Sequence, residues 1–498
     1  MKTDIFVSLS EIERQRETAL EVRRRIGEGK KAFITTFGCQ QNEADSERLM
    51  GLCLLMGYEK SESLEDADLI IFNTCAIREH AELKALSKTG ALKKQKERKR
   101  GTITAVCGCM AEQEGRRAQI LKSYPYIDIL FGTDRQHRLP EMVLEALNKR
   151  GVNVYVSGLT HNEFGVIAEG LPTERESVYK AWVSVMYGCD NFCSYCVVPQ
   201  VRGRERSRRS ADILSETEEL VKAGYKDITL LGQNVNSYEG DYSFPELLRR
   251  VASFEGDYWV RFMTSHPKDA SKELSKAMAE NARIAPHFHL PMQSGDNRIL
   301  KLMNRGYTRE EYMEKAAYIR ELTPDAALSS DIICGFPTET EAEFENTVDA
   351  VDRVGFDMLF TFVYSPRPGT PAAKMEQLPH KVKTDRFARL SELENKRAAE
   401  LNARFVGKRL RVLSEGALGV ESREREIENA GRGTSSSCEG AVSPAEKRIY
   451  TGRTGHNKII SFTLPDGFDR KKAAAGNFLQ VEVSAAQAYT LRGAGVES

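Results

Sequence analysis

The sequence predicts a multidomain α/β protein: an N-terminal parallel α/β domain, a partial (β/α)6 barrel and a small C-terminal antiparallel β-barrel. Three observations carry this prediction. Near the N-terminus, three short apolar runs each end at a cysteine and lead into a helical pattern, which implies a parallel sheet. In the middle of the chain, strand and helix patterns alternate six times. Beyond them the pattern changes to short strands spaced by turns, as in small barrels. At 498 residues the chain is too long for one ordinary core.

Composition narrows the partners. Lys plus Arg and Asp plus Glu both number 72, so no global field steers the chain to nucleic acid or membrane, and any basic surface must be local. The stretch Ser8 to Lys31 mixes charged and aliphatic residues without the apolar core of a signal peptide, and no later run approaches the length of a membrane span. A soluble, cytoplasmic protein is expected, and its ten cysteines then read as metal ligands or buried thiols rather than as a disulfide framework.

Taken in order, the charged helix of residues 1–30 is expected to be an extension. Lys31 to Gly38 then runs into Cys39, Ala67 to Thr74 into Cys75, and Gly101 to Val106 through Cys107 and Gly108 into Cys109. Parallel sheets bind ligands beyond the carboxyl ends of their strands, so these three loops can converge on one site. One such cysteine alone is more often a buried thiol; the repeated strand-then-cysteine layout points to a three-thiolate cluster site. Cys107 reads as a strand residue, and Cys53, Cys334 and Cys438 as structural or free. The run Lys93 to Arg100 reads as a solvated helix end. A strand at Tyr126 to Phe131 and a closing helix at Pro140 to Asn148 follow, and weak periodicity places a linker at 151–177.

The barrel strands are expected at Val178–Met186, Asp227–Leu231, Trp259–Met263, His287–Leu290, Leu328–Ile333 and Met358–Val363. After the first of them comes the loop that the chain is organised around, with Cys189, Cys193 and Cys196 separated by three and then two residues. Closely spaced thiolates on one loop hold an iron–sulfur cluster at little closure cost, and three ligands leave one iron of a cubane open to substrate. The alternative is a structural zinc site, but such sites usually come as paired C-x-x-C halves or with nearby histidines, and neither flanks this loop. Function on this architecture belongs at the carboxyl ends of the strands, where Gln233, Asn234, Ser265, Gln293, Asp331 and Gly335 fall. His266 and His289 read equally well as core histidines, and no phosphate-loop pattern is present. Arg202, Arg204, Arg206, Arg208 and Arg209 form either a phosphate-facing stripe or a solvated face. A long charged helix, Lys381 to Phe405, leads to strands at Arg409–Leu413, Gly455–Phe462 and Phe478–Val483, interrupted by a Gly/Ser/Glu-rich insertion at Glu421 to Ala445.

The loop from Tyr187 to Cys196, with the aromatic Tyr195 before its last cysteine, resembles the radical S-adenosylmethionine enzymes. Gly38 to Glu43, Asn73 to Glu79 and Gly108 to Ala111 resemble the N-terminal domain of the methylthiotransferases, with Gln41 where that family usually has Met, and Gly452 to Lys458 resembles the TRAM RNA-binding signature. The resemblance covers nearly the whole chain beyond Lys31. It implies a Rossmann-like domain at 31–150, a radical S-adenosylmethionine core at 178–403 and a TRAM domain at 404–498. It implies two [4Fe-4S] clusters, held by Cys39, Cys75 and Cys109 and by Cys189, Cys193 and Cys196, these six being the catalytic and metal residues. S-adenosylmethionine would be bound by Tyr195, Gln233, Asn234, Ser265, Gln293, Asp331 and Gly335, and RNA by Arg453 and Lys458.

Gly188 to Pro199 and Arg202 to Arg208 are most similar to the branch of the family that methylthiolates carbon 2 of N6-dimethylallyladenosine beside the anticodon of tRNA, although Gln200 stands where Tyr is usual. The implied chemistry is cleavage of S-adenosylmethionine at the open iron of the Cys189 cluster, hydrogen removal by the resulting 5′-deoxyadenosyl radical, and delivery of a methylated sulfur from the other cluster. The target lies in a loop whose bases are splayed out cheaply. An electron donor such as flavodoxin or ferredoxin, a sulfur donor and a monomeric state without membrane association are also expected. The competing readings are a sibling acting on threonylcarbamoyladenosine or on a ribosomal protein, and an iron–sulfur RNA-binding sensor without turnover.

Overall fold

The computed structural model describes residues 5–77, 79–148, 151–156, 165–418 and 448–497. The expected insertion at 421–445 with Cys438, and the motif residue Arg78, lie outside the described residues. No described helix is long and apolar enough to cross a membrane.

The N-terminal sheet contains β1 (Lys31–Thr36), β2 (Glu59–Lys60), β3 (Leu69–Thr74), β4 (Ile103–Gly108), β5 (Ile129–Phe131) and β6 (Asn153–Tyr155). All pairs are parallel, in the order β2-β1-β3-β4-β5-β6, with an apolar core on each face. The buried runs Leu-Ile-Ile-Phe of β3 and Ile-Thr-Ala-Val of β4 are what a strand covered on both faces requires.

Two expectations need correction here. Asn153–Tyr155, which the sequence assigned to the linker, is the sixth strand of this sheet; three residues are too few to show a period. The N-terminal helix Leu9–Ile26 is no free extension, because Ile12, Ala19 and Val22 are buried, the last two in the sheet's core, and it packs on helix Leu139–Asn148. Ser8 caps that helix by accepting from Glu11 N, and Arg23 to Arg25 sit in its last turn, where the dipole favours cations.

The barrel contains β7 (Lys180–Ser184), with β8 (Met186–Tyr187) and β9 (Arg206–Ser207) flanking the cysteine loop, then β10 (Asp227–Leu231), β11 (Trp259–Phe262), β12 (His287–His289), β13 (Ala327–Cys334) and β14 (Met358–Val363). Its strands form two parallel sheets, β11-β10-β7 and β12-β13-β14, joined by a bridge between Val260 and Ile284. Val183, Ile228, Leu230, Val260, Phe288, Leu328 and Leu359 point outward into the helical shell. The alternate residues Lys180, Trp182, Asp227, Thr229, Arg261 and Met263 line the lumen, a cavity of about 260 Å³. The first strand ends at Ser184 rather than Met186, and β8 pairs antiparallel with β9, so the cysteine loop is closed at its base.

The C-terminal strands β15 (Arg409–Ala417), β16 (Ile449–Thr454), β17 (Ile459–Thr463), β18 (Phe478–Ala486) and β19 (Thr490–Val496) close in the order β15-β16-β17-β19-β18. Every pair is antiparallel except β17 with β19. Val412, Phe462, Val481 and Leu491 fill the interior. This barrel seats on the amino-terminal side of the larger one: Arg261, paired with Asp227 at 3.0 Å, donates to Gly455 O at 2.9 Å and Thr454 O at 3.0 Å, and Trp259 packs edge-on against Phe478.

Candidate active site

The loop bearing Cys189, Cys193 and Cys196 is fixed by its backbone. Gly188 has φ +72°, and a Cβ there would lie 2.1 Å from Arg204 O, so no other residue fits without moving the chain. Cys189 N donates to Gly203 O at 3.2 Å, Ser194 N to Met303 O at 3.0 Å, and Ala372 N to Ser194 O at 2.9 Å. Asn304 Nδ2 donates to Asn191 O at 3.2 Å and Phe192 O at 3.0 Å.

Donors also point at the sulfurs: Arg305 Nη1 lies 3.4 Å from Cys193 Sγ and Val198 N 3.5 Å from Cys196 Sγ. Such bonds stabilise a thiolate and tune a cluster. Arg305 is itself buried, donating to Pro291 O at 2.8 Å and Tyr307 OH at 3.1 Å, and it lies 3.5 Å from Tyr195 OH. Burial pushes the Cys189 thiol up to about 12 and Cys196 up as well. Thiols so desolvated ionise only against a strong positive partner, which an iron cluster supplies.

The second set forms because β1, β3 and β4 are neighbours in register, with Thr36 beside Asn73 and Thr74 beside Gly108. Cys39, Cys75 and Cys109 therefore leave adjacent strand ends. Cys39 occupies the N-cap of helix Gln40–Leu55, and Cys109 opens helix Cys109–Glu112. A buried amide pair ties two of the loops: Asn42 Nδ2 donates to Asn73 Oδ1 at 3.0 Å and Thr74 O at 3.1 Å, and Asn73 Nδ2 donates to Asn42 O at 2.9 Å. Ile77 N donates to Cys75 Sγ at 3.3 Å. Burial raises Cys109 to about 12; Arg202 works against that rise, and the neighbouring Cys75 and Cys39 thiols add to it. Cys107 lies on β4 with its side chain in the apolar core, as a strand residue should. Among the described residues no three His, Cys, Asp or Glu side chains are drawn in to the spacing of a single metal ion.

These two sets of thiols share a wall. Helix Val198–Arg202 starts two residues after Cys196, and Val197 and Val201 pack on Ala76 and Cys109. Arg202 Nη2 donates to Asp45 Oδ2 at 2.9 Å with both side chains buried, Gln41 Nε2 donates to Ser184 Oγ at 2.9 Å, and Thr133 Oγ1 to Val201 O at 2.8 Å. On the far side Ser365 Oγ donates to Glu79 Oε2 at 2.7 Å and Arg367 Nη2 to Ile77 O at 2.8 Å.

Three of the five arginines are thus neither a phosphate-facing stripe nor a solvated face, while Arg209 is exposed, over the Phe6 ring. Arg202, Arg206 and Arg208 are buried; Arg206 donates to Arg202 O at 2.8 Å, and Arg208 pairs with Glu169 and Glu216 at 2.7 Å each. Arg204 forms a two-bonded pair with Asp190.

The strand-end residues differ in what they offer. Asn234 Oδ1 and Ser265 Oγ are buried without a protein partner, while Asn234 Nδ2 donates to Asp269 Oδ2 at 2.7 Å. Such orphaned atoms mark where a polar ligand is wanted. Gln233 is half-buried two residues past β10. Gln293, at φ +69°, links strands through its backbone, accepting from Ile333 N and donating to Asp331 O, and Asp331 faces His289 Nε2 at 3.6 Å. Gly335 is demanded by packing, since a Cβ there would lie 2.5 Å from Lys383 Cγ.

Two residues of the site escaped the sequence reading. Arg305 gave no signal beyond a basic residue between turn formers. Glu205, raised to about 7 by burial and accepting from Ser237 Oγ at 2.7 Å, looked like one charge among arginines.

The expected RNA contacts fare worse. Lys458 is 2% exposed, and its Nζ donates to Asp357 O at 2.7 Å, so it ties the two barrels together and reaches no phosphate. Arg453 lines the lumen, with Nη1 3.2 Å from Asn457 Oδ1 and Nε 3.7 Å from Glu415 Oε1. Strand β16 and the turn after it thus bring both residues toward the larger barrel, Lys458 fully buried and Arg453 with 29% of its side chain exposed, where the sequence pattern alone suggested an open surface.

Comparison with known proteins agrees with this architecture. Residues 31–132 match the uncharacterized protein family UPF0004, and residues 183–351 match the Radical SAM superfamily. The chain is 43% identical over 504 residues to the tRNA-2-methylthio-N(6)-dimethylallyladenosine synthase of Acetivibrio thermocellus, covering 99% of this chain and 98% of that one. It is 45% identical over 474 residues to the protein of the same name from Clostridium perfringens strain SM101, covering 94% and 98%. Among solved structures it is similar in fold to the radical S-adenosylmethionine methyltransferase TsrM from Kitasatospora setae, with a TM-score of 0.53 at 14% identity over 69% of this chain and 77% of that one. With such coverage from end to end, the chain belongs to the tRNA-2-methylthio-N(6)-dimethylallyladenosine synthase family.

Proposed function

We propose that this protein methylthiolates carbon 2 of N6-dimethylallyladenosine next to the anticodon of tRNA. In this reading Cys189, Cys193 and Cys196 hold the cluster that binds S-adenosylmethionine, and Cys39, Cys75 and Cys109 hold a second cluster that carries the sulfur. The observation that supports it is the shared wall: the short helix Val198–Arg202 begins two residues after Cys196, and Val201 on it packs with Val197 against Cys109 and Ala76 of the N-terminal set. The carbon–hydrogen bond at carbon 2 of adenine has no useful acidity, so the cofactors supply radical hydrogen removal and sulfur transfer that side chains cannot.

The chain's own residues bind and orient. Arg305 fixes the Cys193 and Tyr195 side of the loop, and the unpartnered Asn234 Oδ1 and Ser265 Oγ suit polar groups of S-adenosylmethionine. Arg202 places a buried positive charge beside Cys109, which favours its thiolate form. The N-terminal domain is tied to the barrel through Gln41, Thr133 and Glu79, which holds the two sets of thiols in fixed relation. An electron donor of the flavodoxin or ferredoxin class and a separate sulfur donor complete the partners.

The test is nucleoside mass spectrometry of dimethylallyladenosine-containing tRNA after reaction with the anaerobically reconstituted protein. Wild type is expected to yield the 2-methylthio nucleoside. Replacing Cys39, Cys75 and Cys109 together by Ala should leave 5′-deoxyadenosine formation and abolish that product. Methylthio product from the triple variant would remove the N-terminal thiols from the chemistry.

A further inference from the structure

Strand β14 presents an anomaly. Paired residues of neighbouring parallel strands point to the same side, and the register sets Ser329 beside Met358, Asp331 beside Phe360 and Ile333 beside Phe362. Ser329 Oγ is 2.9 Å from both His287 Nε2 and His289 Nδ1, so this is the inner face of the barrel; the outer face carries Phe288, Leu328, Ile332 and Leu359 in the helical core. Phe360 and Phe362 therefore point inward, yet they are 43% and 38% exposed. Inward aromatic rings normally fill a barrel, and here they leave one wall of the chamber apolar and uncovered. The wall is continuous with the site: Phe360 meets the His289 ring edge-on at 5.9 Å, and Ile333, beside Phe362, packs against the same apolar cluster, around Phe336 and Tyr364, as Tyr195 of the cysteine loop. The facing polar groups are His289 and Asp331, 3.6 Å apart.

We propose that Phe360 and Phe362 are the residues that read the dimethylallyl group of the target adenosine. This rests on the function proposed above. A flipped purine entering the chamber has two ends to place, a ring with hydrogen-bonding edges and a branched five-carbon substituent with none. Asp331 and His289 suit the former, and the exposed phenyl rings suit the latter, burying apolar surface on both partners. The same wall discriminates against an N6 substituent ending in a carboxylate, which would lose its hydration against two phenyl rings and lie beside the Asp331 carboxylate. Because both rings are already partly exposed, truncating them opens no hole in the core.

The experiment compares two anticodon stem-loop RNAs, identical except that one carries dimethylallyladenosine and the other plain adenosine, on the reconstituted holoenzyme. Wild type should bind and turn over the modified RNA about tenfold or more better, the range that a small apolar group supports in a fitted pocket. In Phe360→Ala/Phe362→Ala that ratio should fall to about one through loss on the modified RNA, with affinity for plain RNA unchanged. Phe360→Leu/Phe362→Leu should recover part of it. A wild-type preference retained in the alanine variant overturns the assignment, as does an equal loss on both RNAs. Failure of the wild type to make any methylthio product on the modified RNA, while still cleaving S-adenosylmethionine, would instead count against the functional reading beneath it, and the binding ratio still decides the role of the wall.

Discussion

Arg202 shows how one side chain can serve two domains. Its guanidinium is buried on the Asp45 carboxylate at 2.9 Å, and the thiols of Cys109 and Cys39 outweigh with Asp45 the penalty of burial, so its pKa is held up rather than lowered. Removing one member of such a pair leaves the other charged and desolvated, at a cost of about 3–5 kcal/mol, whereas replacing both by apolar groups costs far less. Arg202→Met is therefore expected to destabilise the metal-free protein by about 3 kcal/mol in denaturant unfolding, and Arg202→Met/Asp45→Leu to recover most of that loss. If the double variant instead loses the sum of the two single effects, the pair is not coupled. The six proposed ligands were legible in the sequence, Cys189, Cys193 and Cys196 by their close spacing and Cys39, Cys75 and Cys109 by each following a strand pattern. Arg202 and Lys458 were not, because a buried cation is defined by a partner on another element, in these cases Asp45 and Asp357.

At the scale of elements, strands with long apolar runs could be read directly and those without could not. β3, β4 and β13 were found, while β6 is three residues long and β16 and β19 mix Gly, Thr and Arg with few apolar residues. The cysteine loop stands between these extremes, since its residues announce a site and its shape depends on distant backbone. Gly188 makes that dependence testable. Alanine there must take φ +72° and overlap Arg204 O, so the loop has to leave its hydrogen bond to Gly203 O. Gly188→Ala should lower the iron bound after reconstitution toward half of the wild-type content, with the remainder held by the N-terminal thiols. Full iron and unchanged S-adenosylmethionine cleavage would mean that the loop tolerates the shift.

For the whole molecule, the seat of the small barrel is an ionic one. Asp357, 1% exposed in its side chain, accepts from Arg404 at 2.8 Å and lies 3.5 Å from Lys458 Nζ. Lys458→Met is expected to weaken this seat by about 2 kcal/mol, seen as earlier proteolysis between the barrels, while the salt dependence of tRNA binding keeps its slope. A slope reduced by about one unit would return Lys458 to the phosphate backbone. The three-part order of the fold was legible because each part has its own hydrophobic period. The way the parts meet was not, since it rests on single residues such as Arg261 reaching Gly455 O across 194 positions. That contact bears on how such a protein can be varied. The turn Thr454 to Lys458 is the floor of the larger barrel's lumen as well as part of the small barrel, with Arg453 and Asn457 lining that lumen beside Lys180 and Asp227. A foreign module grafted in its place would leave the lumen open from below, so the C-terminal barrel is not an exchangeable cassette, and its turn has to change in step with a strand more than 190 residues earlier.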